Sequence, residues 1–142
     1  MDLIELSSSL RGAISSLHKV LRKQSNAVNA FSMTEIETIA LLFRRSPLLP
    51  TELANLTRVT TQTMSQILKK LEEQNIIRRT PSEDDKRKVY ISLSLFGREM
   101  VEKNRYEKDE WLKSNIERLL TKEEIALLEK ALPVLNKLLA ND

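Results

Sequence analysis

Apolar residues recur along this chain with a spacing that changes from segment to segment. Leu3, Leu6, Leu10, Ile14, Leu17 and Leu21 fall at steps of three and four, which gathers them on one face of an α-helix over residues 3–24. Ser32 followed three residues later by Glu35 is a capping-box pattern, and Ile36, Ile39, Ala40 and Phe43 then continue at helical spacing. Pro47 and Pro50 end that helix and open the next, because proline's missing N–H is harmless in a first turn. The short helix that follows is expected to turn Leu53, Ala54 and Leu56 inward. After Thr57-Arg58-Val59, Thr60 caps a further helix whose stripe is Met64, Ile67, Leu68 and Leu71, with Asn75 as its left-handed terminator.

The period then changes to two. Residues 76–80 read as a short strand and residues 88–93 as its partner, with the polar stretch 81–87 as a solvated hairpin tip. From Ser94 to about Leu120 a long charged helix is expected, supported by Glu99–Lys103 and Asp109–Lys113 pairs at i,i+4. A last helix, Thr121 to Ala140, carries Ile125, Leu128, Leu132, Leu135 and Leu139 on one stripe and is expected to kink at Pro133. The fold class is mainly α: two short helices joined by a three-residue turn and followed by a two-stranded β-hairpin wing make a winged helix-turn-helix, placed between residues 33 and 92.

Composition narrows the function. A chain of 142 residues has the length of one ordinary domain, and two glycines with 30% charged residues suit a helix-rich protein. No window approaches the roughly 18 apolar residues of a membrane span, and the opening Met1-Asp2-Leu3-Ile4-Glu5 lacks the basic start of a secretory signal, so the expected location is cytoplasmic, nucleoid-associated when bound to DNA. The absence of cysteine removes disulfides, thiolate nucleophiles and thiol-based sensing, and a lone histidine, His18, excludes multi-imidazole metal sites. There is no phosphate-binding glycine loop and no paired carboxylate motif, so neither cofactor, metal nor enzymatic activity is expected.

Net charge of +3 says little about nucleic acid, and residues 51–91 hold eight Lys/Arg against six Asp/Glu. Placement says more. Gln62, Ser65, Gln66 and Lys69 recur opposite the apolar stripe of the second short helix, with Thr60, Thr61 and Thr63 near its N-terminus. Gln presents a donor and an acceptor together to adenine, Ser and Thr bond bases or phosphates, and Lys neutralises phosphate charge. Plain solvation also produces a polar helix face. Lys86, Arg87 and Lys88 cluster at the hairpin tip, with Arg78 and Arg79 on the strand that enters it. Glu83, Asp84 and Asp85 precede the basic trio and are expected to pair locally, leaving Arg87 free for a minor groove; a solvated turn is the other reading.

The run Glu52-Leu53-Ala54, Val59-Thr60, Thr63-Met64-Ser65-Gln66-Ile67, Leu71-Glu72, Arg79, Asp85-Lys86-Arg87 and Leu93-Ser94 with Gly97 resembles the MarR family of bacterial transcriptional regulators over nearly the whole chain. Its most specific part is Asp-Lys-Arg between two short strands followed by Leu-Ser-x-x-Gly. The resemblance implies a homodimer on a pseudo-palindromic double-stranded DNA site, with repression as the expected mode, Arg87 as the wing contact and Asp85 as its organiser. Asn75 stands where the family usually has glycine, and Arg58 where a small residue is common; Arg58 could add a phosphate contact or alter the turn.

The terminal segments 1–30 and 94–142 hold more apolar residues than a motif of some sixty residues covers. Leu3, Leu6, Leu128, Leu132, Leu135 and Leu139 are therefore expected at a dimer interface, an intramolecular core being the competing reading. The resemblance also implies release by a small aromatic or phenolic effector. His18, Arg22 and Trp111 suit such an anion chemically, although each also reads as structural. The runner-up function is a winged-helix protein-interaction module that does not bind DNA.

Overall fold

The computed structural model describes residues 1–25 and 30–140, so that stretches 26–29 and 141–142 of the expected dimerisation segments lie outside the described residues. The elements follow in the order α1 (Leu3–Arg22), α2 (Met33–Arg44), α3 (Pro50–Thr57), α4 (Thr61–Glu73), β1 (Ile77–Pro81), β2 (Val89–Leu93), α5 (Leu95–Leu119) and α6 (Lys122–Leu139).

Helix ends obey local chemistry. Asp2, Ser32 and Thr121 form reciprocal capping boxes with Glu5, Glu35 and Glu124, and Thr60 and Ser94 cap α4 and α5 through their hydroxyls. Each such cap satisfies an orphan donor and stabilises its helix by about 1 kcal/mol. Arg58 and Asn75 both take left-handed conformations, at φ of 58° and 62°, and so close α3 and α4. At Arg58 that conformation carries a steric cost that asparagine largely escapes.

The core lies where α2, α3 and α4 meet the hairpin. Leu42, Leu53, Met64, Leu68, Leu71, Ile76 and Ile91 are almost wholly buried there, each contributing roughly 1.5–3 kcal/mol of transfer free energy. Leu56 is not among them. It is 40% exposed, because the inward arc of α3 is centred on Leu53, Ala54 and Thr57 and Leu56 falls about a quarter turn outside it.

β1 and β2 pair antiparallel from Ile77 with Leu93 to Pro81 with Val89, so Pro81 belongs to the strand rather than to the expected hairpin tip. A two-stranded ladder tolerates this because Pro81 sits at its end, where no donor is needed. The root of the hairpin is held from outside: Leu48 N–H donates to Ile91 O at 2.9 Å and Ile91 N–H to Leu48 O at 2.7 Å.

The start of α5 is locked to the end of α4. Ser94 N–H donates to Ile76 O at 2.9 Å, the Ser94 hydroxyl donates to Asn75 O, and Gly97 N–H donates to Ser94 Oγ at 2.9 Å. A Cβ at Gly97 would stand within van der Waals collision of Ile76 O, so only glycine allows this approach. Further along, the expected Glu99–Lys103 and Asp109–Lys113 pairs are replaced by Lys103 with Glu107 at 4.0 Å. Lys103 has an acidic residue four positions away on each side, and spacing alone does not choose between them.

α1 and α6 bury no residue at all. Leu3, Leu6, Leu128, Leu132 and Leu139 are exposed, and Leu135 is half-buried. α6 continues as one helix through Pro133. No helix among the described residues is long and apolar enough to cross a membrane.

Candidate nucleic-acid interface

α4 is two-sided. Met64, Leu68 and Leu71 are wholly buried and Ile67 half-buried, while Thr61, Gln62, Thr63, Ser65, Gln66 and Lys69 are exposed, as is the capping Thr60. The cap also organises hydroxyls. Thr60 Oγ1 accepts from Thr63 N–H at 3.0 Å and donates to Thr63 Oγ1 at 2.9 Å. Lys69 makes no ion pair among the described residues.

The wing tip is built on Asp85. Its N–H donates to Ser82 Oγ at 3.3 Å, its carbonyl accepts from Lys88 N–H at 2.9 Å, and Oδ1 accepts from Arg87 N–H at 3.1 Å. The same carboxylate takes Arg87 Nε at 3.2 Å and Nη2 at 3.4 Å. Arg87 is therefore not free of the local acids, as the sequence suggested: the tight turn that fixes its backbone brings Asp85 against the guanidinium. The side chain of Arg87 nonetheless stays 91% exposed, held at its base with Nη1 uncommitted to that carboxylate. The Arg87 side-chain bonds, then its backbone bond, hold the Asp85 carboxyl below the usual aspartate range, with Lys88 adding charge. Lys86 and Lys88 are exposed and make no ion pair among the described residues.

Two further contacts brace α4, and neither was visible in the sequence. Arg79 Nε lies 3.1 Å from Glu72 Oε2, joining β1 to the C-terminal turn of α4 and withdrawing Arg79 from the basic set at the hairpin. Glu35 in the first turn of α2 is buried and pairs with Lys70 of α4. Burial opposes the charged form of Glu35, but the Lys70 hydrogen bond, the Ser32 bonds and the Lys70 charge outweigh it and keep the carboxyl below its ordinary value of 4.5.

The three effector candidates lie on α1 (His18 and Arg22) and α5 (Trp111). A shallow depression of about 510 Å³ runs along α1, lined by Ser7, Leu10, Arg11, Ile14, Ser15 and His18. Arg22 and Trp111 are half-buried and do not line it. The described residues include no group of three or more His, Cys, Asp or Glu able to hold a metal ion.

Comparison with known proteins agrees with this geometry. The sequence profile of the MarR family matches residues 31–89, the stretch from the end of the α1–α2 connection to the start of β2. An uncharacterized HTH-type transcriptional regulator of Mycobacterium leprae is 30% identical over 116 residues, covering 82% of this chain and 78% of that protein. Among solved structures, a MarR family protein from Bacillus stearothermophilus superposes with a TM-score of 0.78 at 20% identity, covering 98% of both chains. A mutant of S. aureus MepR bound to an oligodeoxyribonucleotide superposes with a TM-score of 0.72 at 20% identity, covering 94% of this chain and 97% of that one. With a curated relative of this identity and coverage and a matching family profile, the chain belongs to the MarR family of winged-helix transcriptional regulators.

Proposed function

We propose that the chain acts as a homodimer that reads a pseudo-palindromic duplex, with α4 of each protomer in a major groove and Arg87 of each wing in a flanking minor groove. The observation that carries this reading is the two-sidedness of α4. Its inner stripe is sealed in the core while Gln62, Ser65, Gln66 and Lys69 stand in solvent, and Arg87 on the wing is anchored but exposed. Gln62 and Gln66 supply bidentate base contacts, Thr60, Thr61, Thr63 and Ser65 bond phosphates or base edges, and Lys69, Lys86 and Lys88 neutralise phosphates. Asp85 orients Arg87 at the wing. The solved complex of a MepR mutant with an oligodeoxyribonucleotide supports the same use of this fold.

Dimerisation is supported by α1 and α6, most of whose leucines stay exposed on the single chain. Leu3, Leu6, Leu128, Leu132, Leu135 and Leu139 form the twofold contact in this reading, which places residues 33–92 as the DNA-binding part between dimerisation segments 1–30 and 94–142. The protein then represses by occupying its site and releases it when a small aromatic anion changes the spacing of the two recognition helices. His18 lines the shallow depression along α1 and is the effector contact this reading favours.

The test is selection of bound sites from random duplex DNA, repeated with aromatic acids present. A symmetric site with half-sites one helical turn apart is the expected result, and its loss on adding the acid identifies the effector class. Failure to bind any duplex at low salt would replace this reading with that of a protein-interaction module.

A further inference from the structure

α4 carries two consecutive lysines with different fates. Both are exposed, but Lys69 makes no ion pair among the described residues, whereas Lys70, its side chain 45% exposed, pairs with Glu35 of α2. Its Nζ lies 2.9 Å from Glu35 Oε1 and 2.8 Å from Oε2, aligned for a hydrogen bond only to Oε1, and sits 5.8 Å from the centre of the Phe31 ring. Glu35 is itself immobilised. It is 6% exposed, Oε1 also accepts Ser32 N–H at 3.0 Å, and its own N–H donates to Ser32 Oγ at 3.2 Å. The carboxylate belongs to the capping box of α2, which holds it in place by its bond to Ser32 N–H.

Beside this pair opens a cleft of about 320 Å³, whose α4 wall includes Thr63, Gln66 and Lys70. Lys70 lies one helical turn beyond Gln66, so a released Lys70 side chain would extend along the surface proposed to face DNA. An ammonium on that surface attracts every phosphate equally and carries no sequence information.

We propose that Glu35 is a positioning residue for sequence recognition: by holding Lys70 against the N-terminal turn of α2 it keeps that charge away from phosphate and fixes the rotation of α4 beneath Gln62 and Gln66. The inference rests on the DNA-binding reading above. Glu35 touches no DNA in this arrangement and acts through Lys70. Its effect is on the ratio of specific to indiscriminate binding rather than on binding strength as such.

The experiment measures affinity of the full chain for its selected site and for a scrambled duplex by fluorescence anisotropy over a salt series. Three variants are compared with wild type: Glu35→Gln, Lys70→Met and the double variant. Gln at position 35 still accepts Ser32 N–H within the cap but releases the ammonium. The expected result for Glu35→Gln is several-fold tighter binding of the scrambled duplex and a steeper salt dependence, by about 0.9 in the logarithmic slope for each new phosphate contact. The ratio between the two duplexes falls by about tenfold, one unit of a typical mismatch discrimination. Lys70→Met keeps the wild-type slope because Lys70 makes no phosphate contact in the wild type, and the double variant returns to that slope.

A purely structural role would weaken both duplexes together and leave the slope alone. An unchanged slope in folded Glu35→Gln, or a shallower one in Lys70→Met, overturns the inference while DNA binding by the wild type stands. If Glu35→Gln does not fold, a shallower slope in Lys70→Met still overturns the inference. Wild-type protein that binds no duplex overturns the DNA-binding reading and this inference with it.

Discussion

At Gly97 one methyl group is too many. The first turn of α5 passes so close to Ile76 O that a Cβ has no space, and the obstacle is backbone, which cannot swing aside. Gly97→Ala should therefore lower stability by about 1–3 kcal/mol, read from chemical denaturation, whereas Gly12→Ala, which meets nothing, should not. Glu35 makes a different prediction. Its folded carboxyl is held below its ordinary value, so the stabilisation from this group is complete above the ordinary range and is lost as the pH falls through the lowered folded value. The denaturation midpoints of wild type and Glu35→Gln should converge as the pH is taken from about 7 to about 3, below the usual glutamate titration. Midpoints that stay equally far apart would show that the charge of Glu35 is not what matters. On the proposed interface, Arg87→Ala should weaken operator binding and reduce the salt slope by about 0.9, the share of one phosphate-like contact. Asp85→Asn keeps that charge and should affect affinity chiefly through looser aim.

Among the elements, those whose ends depend on neighbouring residues are legible in the sequence. Ser32 with Glu35, the Thr60 cap and left-handed Asn75 each act within a few positions, and all stand where the spacing puts them. The rotation of α3 is not legible. With eight residues and a proline at its start, it offers too few apolar positions to define a face, and the spacing turns Leu56 inward when it points out. The ion pair on α5 goes to Glu107 rather than Glu99, since both lie four residues from Lys103. Contacts that cross between elements leave no trace in local pattern: Leu48 bridging to Ile91, Arg79 meeting Glu72 and Lys70 meeting Glu35 each join separate segments of the fold. They decide how α4 and the wing are aimed, so the candidate surface can be named from sequence but its bracing cannot. Arg58 belongs to the same scale. Arg58→Val, which places a β-branched residue at a φ of 58°, should cost about 1–3 kcal/mol, measured as a shift in denaturation midpoint.

For the whole molecule, the distribution of apolar surface is lopsided. The winged part has a continuous sealed interior, while α1 and α6 display leucines to solvent along their lengths. Replacing Leu128 and Leu132 by glutamate should convert the proposed dimer to a folded monomer in sedimentation analysis. Operator affinity should fall by about two orders of magnitude, the usual gain from linking two sites. A wild-type chain that sediments as a monomer would remove the twofold arrangement. α5, at 25 residues, spans about 37 Å and is seated at one end on the carbonyls of Asn75 and Ile76, at the close of the recognition helix. Gly97 lets that seat fit closely, and in the proposed dimer α5 would act as a lever on this pivot. A tilt of about 5° moves its outer tip by roughly 3 Å over the length set by its helical rise. In the proposed dimer, a ligand that displaced the leucine-bearing helices would therefore reach the α4 end of α5 as a change of angle.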